Sequence, residues 1–256
     1  AGDGCGCARI REVTGMAHVY TRAAAVIRLI DAVTERAVQY RDIQIQTAQQ
    51  HKVIWKDTGC AVILAQDRGN SASVDRIDAL ISGKFYREMR LHIDLTTDPV
   101  PKVYPVWLQP SGCYPFQEDM TVIEGTQNPA DELYMLWSGE RYKLAETTTA
   151  GAGYLSLWGV DGAMDGRMLL LCEDSGIKEL VTIVGQLQDD VHSYRTRERI
   201  RHVFYRGKTK VYKVLRVHVD DSGNFLAALR RGARQDGKIL FWSGRAEEGF
   251  FVYSDG

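Results

Sequence analysis

Leu133-Tyr134-Met135-Leu136-Trp137-Ser138-Gly139-Glu140-Arg141-Tyr142-Lys143-Leu144 is the stretch on which the fold turns. An apolar run ends in Trp137, a serine and a glycine follow, and a second segment leads into Tyr142. That order predicts a β-hairpin with Gly139 taking the positive φ of its turn. Two later stretches have the same form. His202-Val203-Phe204-Tyr205-Arg206-Gly207 leads to Val211-Tyr212-Lys213-Val214, and Ile239-Leu240-Phe241-Trp242-Ser243-Gly244 leads to Phe250-Phe251-Val252-Tyr253. Aromatics on either side of each turn can meet as cross-strand pairs, worth roughly 0.2–1 kcal/mol over alanine.

A second pattern lies between these. Gly153-Tyr154-Leu155-Ser156-Leu157, then Asp165-Gly166-Arg167-Met168, parallels Asn224-Phe225-Leu226-Ala227-Ala228, then Asp236-Gly237-Lys238-Ile239. One offset of 71 residues aligns Tyr154 with Phe225 and both Asp-Gly pairs. Spacing kept while residues drift suits a repeated unit. The plainer alternative is that hairpin meanders fall into Asp-Gly turns unaided.

Upstream of the repeats, all six prolines fall between Pro99 and Pro129. Missing backbone donors and fixed φ make residues 99–129 an irregular connector in this reading. The chain then divides into a mixed α/β attachment region at 1–98, the connector, and a β-hairpin region at 130–256. In the first part Val26, Ile30, Val33 and Ala37 recur at helical spacing, predicting a helix over about 21–41 with Thr21 as N-cap. A second helix is expected over 72–81, striped by Val74, Ile77, Leu80 and Ile81 and ended by Gly83. Strands are expected at 42–46, 53–55, 61–65 and 87–95. The fold class is therefore α+β, mainly β: one or two N-terminal helices, then repeated antiparallel hairpins.

The 256 residues can bury a sizeable core without staples, and 45% apolar with 25% charged residues is globular composition. A formal charge of −1 excludes a globally basic nucleic-acid binder but leaves room for local patches. The longest apolar runs, such as Met168 to Cys172, are five residues, so no membrane insertion is expected. No secretory signal or transit pattern is read at the N-terminus. Five cysteines, an odd number, suit a reduced protein better than a disulfide scaffold. Cys5-Gly6-Cys7 offers two thiolates but no companion pair, so neither metal nor cofactor is expected.

The order of elements over residues 120–256 resembles the β-rich segments of bacteriophage tail-fibre and related virion appendage proteins. It is carried by Asp165 to Leu171, Val181-Thr182-Ile183 and the Val203 to Tyr212 hairpin. The resemblance implies a structural, non-enzymatic virion protein, made in the host cytoplasm and acting in assembly or host-surface attachment. It further implies an N-terminal region that attaches to the particle, a homo-oligomer with the trimer favoured, and other virion proteins as partners.

Nucleotide-binding, zinc-protease and serine-hydrolase motifs are absent, so no catalytic residue is assigned. Asp161 with Asp165, and Asp189-Asp190 ahead of His192, are the best enzymatic material. A carboxylate pair could cleave polysaccharide, although Asp before Gly is foremost turn chemistry. Trp137, Trp158, Tyr205 and Trp242 are expected at subunit contacts or a receptor surface. Arg195, Arg197, Arg199 and Arg201 alternate, so in a strand they would share one face. That face is either a solvated edge or a patch for an anionic partner such as host surface polysaccharide. The runner-up readings are a polysaccharide hydrolase and a carbohydrate-binding β module with tryptophan platforms.

Overall fold

The computed structural model describes residues 20–48, 51–56, 59–67, 76–95, 103–160, 164–230, 237–245 and 249–251. Among them the regular elements are sixteen β-strands and one 3-10 turn at Tyr40–Asp42. The mainly β expectation therefore holds, whereas neither expected helix forms.

The strands β1 (Tyr20–Asp31), β4 (Cys60–Asp67), β3 (Lys52–Lys56) and β7 (Val103–Leu108) make one sheet, in the order β3-β4-β1-β7. A second sheet holds β2 (Ile43–Thr47), β5 (Arg76–Gly83) and β6 (Met89–Asp94). Both contribute to one core, in which Ile27, Leu29 and Ile63 meet Ile77, Ile81 and Ile93. The expected helix over 21–41 is β1 because its centre alternates: Ala25, Ile27 and Leu29 have no exposed surface. As the strand between β4 and β7, β1 carries a continuous apolar run from Ala23 to Ile27, and such a run matches helical and strand spacing alike. The expected helix over 72–81 is β5 for the same reason. Ile77, Ala79 and Ile81 are its buried positions, and residues 71–75 lie outside the described residues.

The C-terminal strands are β8 (Met120–Thr126), β9 (Leu133–Leu144), β10 (Tyr154–Trp158), β11 (Met168–Glu173) and β12 (Lys178–Gln186). They continue with β13 (Ser193–Thr196), β14 (Thr209–Val217), β15 (Asn224–Arg230) and β16 (Ile239–Trp242). Pairing runs β9-β10-β13-β12-β11-β14 and returns to β9, so six antiparallel strands close a barrel. Leu144, Leu155, Leu157, Leu169, Ile183 and Phe204 fill it. Burial of each such side chain stabilises by about 1.5–3 kcal/mol.

The stretch from Leu133 to Leu144 is not the hairpin expected of it. Residues 133–144 run as one strand, and the ladder to β14 jumps from Arg141↔Tyr212 to Leu136↔Val214. The residues between form a bulge around Ser138, whose backbone N–H and side-chain oxygen bond Lys238. Below the bulge β9 pairs with β16; above it the same edge pairs with β10 and closes the barrel. A bulge bends a strand and raises its twist, which is how one strand serves both neighbours. In the second stretch Gly207 does turn, with φ 84°, but only Phe204 of the preceding segment is paired, with Thr148. The third is paired as expected: Phe241 and Phe251 exchange both backbone hydrogen bonds across Gly244.

The proline stretch is likewise more ordered than a connector. Pro105 lies in β7, and β8 pairs with β15 along its length. Both are edge strands, where a missing N–H is tolerated. This segment touches both halves. Tyr114 donates to Asp31 of β1 at 2.6 Å, and a Cβ on Gly166 would collide with the Pro105 ring.

Candidate functional site: the outer face of the barrel

Alternation along β10 decides what the barrel shows to solvent. Leu155 and Leu157 point inward and are fully buried, so Tyr154, Ser156 and Trp158 take the outer face. On β13, Tyr194 is buried in the barrel core while Ser193 and Arg195 stand opposite Ser156 and Tyr154. Trp158 is 48% exposed and Tyr154 45%; Val191, which precedes His192 in the chain, is 68% exposed. The His192 ring packs on Trp158 with centroids 4.1 Å apart.

Between the two aromatics runs a chain of oxygens. Ser156 donates to Glu146 Oε1 at 2.7 Å, Ser193 donates to Asp190 Oδ2 at 2.6 Å, and the two serine oxygens are 2.7 Å apart. Asp190 also accepts the His192 N–H at 2.8 Å. The Ser193 hydroxyl, then the His192 amide, hold the Asp190 carboxyl below the usual range, so it stays an ionised acceptor. That is the reverse of what a general acid in glycoside cleavage needs.

The structure separates the four expected contact residues. Trp158 and Tyr205 are exposed, at 48% and 52%, whereas Trp137 and Trp242 are buried in their own chain. Trp137 packs with Phe225 and Phe241 where β8 and β15 meet β9, and Trp242 donates to the Arg245 carbonyl at 2.7 Å. Neither can reach a partner. Tyr205 sits at one end of the barrel with Val203; the Lys208 ammonium lies 5.7 Å from its ring. Ile177, 38% exposed, belongs to the adjoining turn, which Lys208 joins by accepting the Asp174 N–H.

The four arginines do not share a face. β13 ends at Thr196, whose hydroxyl turns back to the Glu198 carbonyl. Arg195 stays in the strand beside Tyr154, and Arg197 reaches a separate cleft. Arg199 donates to the Gly151 carbonyl, and Arg201 lies 3.9 Å from Glu179. Asp161 lies outside the described residues, as do Cys5 and Cys7; Asp165 is exposed in the turn before β11. Among the described residues no three potential metal ligands cluster.

Sequence reading missed the contact that joins the two halves. Glu35, the non-glycine residue with φ 60°, bridges Arg167 through two bonds at 2.8 and 2.6 Å and also receives Lys213. Arg167 lies over Trp107 of β7, 4.4 Å from its ring centroid. These residues border a cleft of about 1130 Å³ between β7 and the β9–β14 pair. Glu35 and Arg167 are 132 positions apart, and no local pattern marks such a pair. No family model, curated protein or solved structure matches this chain.

Proposed function

We propose that the chain is a non-catalytic structural protein of a phage-type particle, a fibre, tail or head appendage component acting in assembly or host-surface attachment. The supporting observation is the barrel's exterior, where exposed apolar side chains gather in two places. One is the Trp158 face. The other is the end bearing Val203 and Tyr205, with Ile177 in the neighbouring turn. A closed ring leaves its six strands no edge to share, so partners meet it through side chains. Exposed clusters of this kind mark interaction surfaces.

On this reading the Tyr205 end is the self-association contact, with the trimer as the form to test. Sedimentation of the full chain should give an oligomer that Tyr205→Asp dissociates while the barrel still melts cooperatively. A wild-type chain that stays monomeric at high micromolar concentration overturns the assembly reading. The carbohydrate-binding reading draws on a different observation, the Trp158 face with its hydroxyl and carboxylate floor. A polysaccharide hydrolase is the remaining alternative. A reducing-end assay on polysaccharide should remain at background.

A further inference from the structure

We infer that the outer face of β10 and β13 is a groove for a neutral, linear saccharide chain. The inference rests on the attachment part of the proposed function and gives that attachment a chemistry.

Tyr154 and Trp158 stand four residues apart on one strand face, roughly 13 Å at the rise of an extended strand. One sugar ring cannot reach both, nor can two adjacent ones, so the pair suits two rings of one chain with at least one ring between them, each stacked by its apolar face. Between them lie oxygens, which can exchange hydrogen bonds with the hydroxyls of a sugar. Ser156 and Ser193 form the floor, and the Glu146 and Asp190 carboxylates stand at its ends.

That floor is one hydrogen short. Three contacts of 2.6–2.7 Å link Glu146, Ser156, Ser193 and Asp190, yet the two hydroxyls supply two hydrogens. With each hydroxyl hydrogen given to a carboxylate, the Ser156–Ser193 contact has none. A ligand hydroxyl donating to Asp190 would release the Ser193 hydrogen to turn towards Ser156, so that Glu146, Ser156 and Asp190 would each receive a hydrogen while the Ser193–Asp190 contact gives way. Sugars present such donors in rows. Charge favours a neutral chain: Arg195, opposite Tyr154, and Lys143, opposite Trp158, equal the Glu146 and Asp190 carboxylates in number, leaving no net attraction for an acidic one.

The test is a tryptophan-fluorescence titration of the full chain with hexasaccharides of neutral glucans, mannans and galactans, and with an oligogalacturonate. At least one neutral hexasaccharide should bind with a Kd of about 1 mM or tighter and outcompete the oligogalacturonate. Trp158→Ala should weaken it at least tenfold, and Tyr154→Ala should weaken the hexasaccharide but not the matching disaccharide. Ser193→Ala, which keeps both aromatics, guards against a misfolded variant and should still lower affinity. Silence towards every neutral probe, tighter binding of the oligogalacturonate, or Trp158→Ala leaving affinity intact would each overturn the groove. So would loss of self-association in Trp158→Ala, since that face would then belong to a second copy. Sedimentation reads assembly independently: a monomer that binds sugar sinks the assembly reading alone, and an oligomer that ignores sugar sinks the groove alone.

Discussion

Asp31 shows how much one residue can organise. It is 6% exposed, and its carboxylate accepts the Val33 and Thr34 amides together with the Tyr86 and Tyr114 hydroxyls. Burial first, and then the bond to Asp31, raise both tyrosine pKa values above their ordinary value, so the hydroxyls remain donors at any physiological pH. Asp31→Ala strands those donors and should cost about 3 kcal/mol or more in denaturant titrations. Tyr114→Phe should cost about 1.5–3 kcal/mol, the worth of a bond to a charged acceptor. Cys172 makes a different test of burial. Desolvation pushes its thiol up to about 12, while Cys113 is exposed. Peptide mapping after brief maleimide treatment should find Cys113 labelled and Cys172 untouched, since the thiolate is the reactive species. His218 supplies the pH arm. Burial, then Arg87, hold its pKa below 6.5, so the unfolded chain takes up that proton first as pH falls. Its contribution to stability is complete above pH 6.5 and declines as pH drops below that value towards the folded pKa. His218→Gln should flatten that part of the stability–pH curve.

At the scale of elements, alternation and short apolar runs along the chain made four strands of the N-terminal half readable. β2, β3, β4 and β6 fall on the strands expected at 42–46, 53–55, 61–65 and 87–95. β1 was misread because its apolar run satisfies both periods, and only its neighbours β4 and β7 select the extended form. The Trp137-Ser138-Gly139 signal was also real but ambiguous: small residues suit a bulge as well as a turn, and the deciding partner, Lys238, is 100 positions away. The 71-residue offset fares better. It sets β10 against β15 and β11 against β16, and β11 pairs with β14 as β16 pairs with β9. Of the candidate site, Trp158 and Tyr205 were visible as aromatics, but Glu146, Ser156 and Ser193 carry no sequence signal. The bulge yields its own test. Gly237 has φ 133°, and a Cβ there would come within 2.5 Å of Trp137 Nε1 and 2.7 Å of the Gly139 nitrogen. Gly237→Ala should therefore destabilise by roughly 1–3 kcal/mol and loosen β16, read as faster amide exchange at Ile239 and Phe241.

At the scale of the molecule, two β units with separate cores are held together by a few contacts of different kinds. Apolar contacts at Val33, Tyr114 and Ala228 seal one side of the junction. On the other side the Pro105 ring lies against Gly166, and Glu35 receives two cations, Arg167 and Lys213. Protease should accordingly spare residues 103–126, which are engaged with both units, although prolines alone would have marked them as exposed. The glutamate is the more revealing probe. Its φ of 60° is held by the Asp31 turn, where Glu35 N–H donates to the Asp31 carbonyl at 2.8 Å. Losing that carboxylate takes from Arg167 and Lys213, 12% and 17% exposed, the anion that they share. Like charges at that depth repel, while the Trp107 ring keeps Arg167 in place. Glu35→Ala should thus weaken the junction by about 1–2 kcal/mol without touching either core. Calorimetry should show one unfolding transition in the wild type parting into two in the variant, with high salt restoring some overlap by screening the repulsion. A single transition unchanged in midpoint would mean that the apolar side of the junction suffices and the ion cluster is incidental.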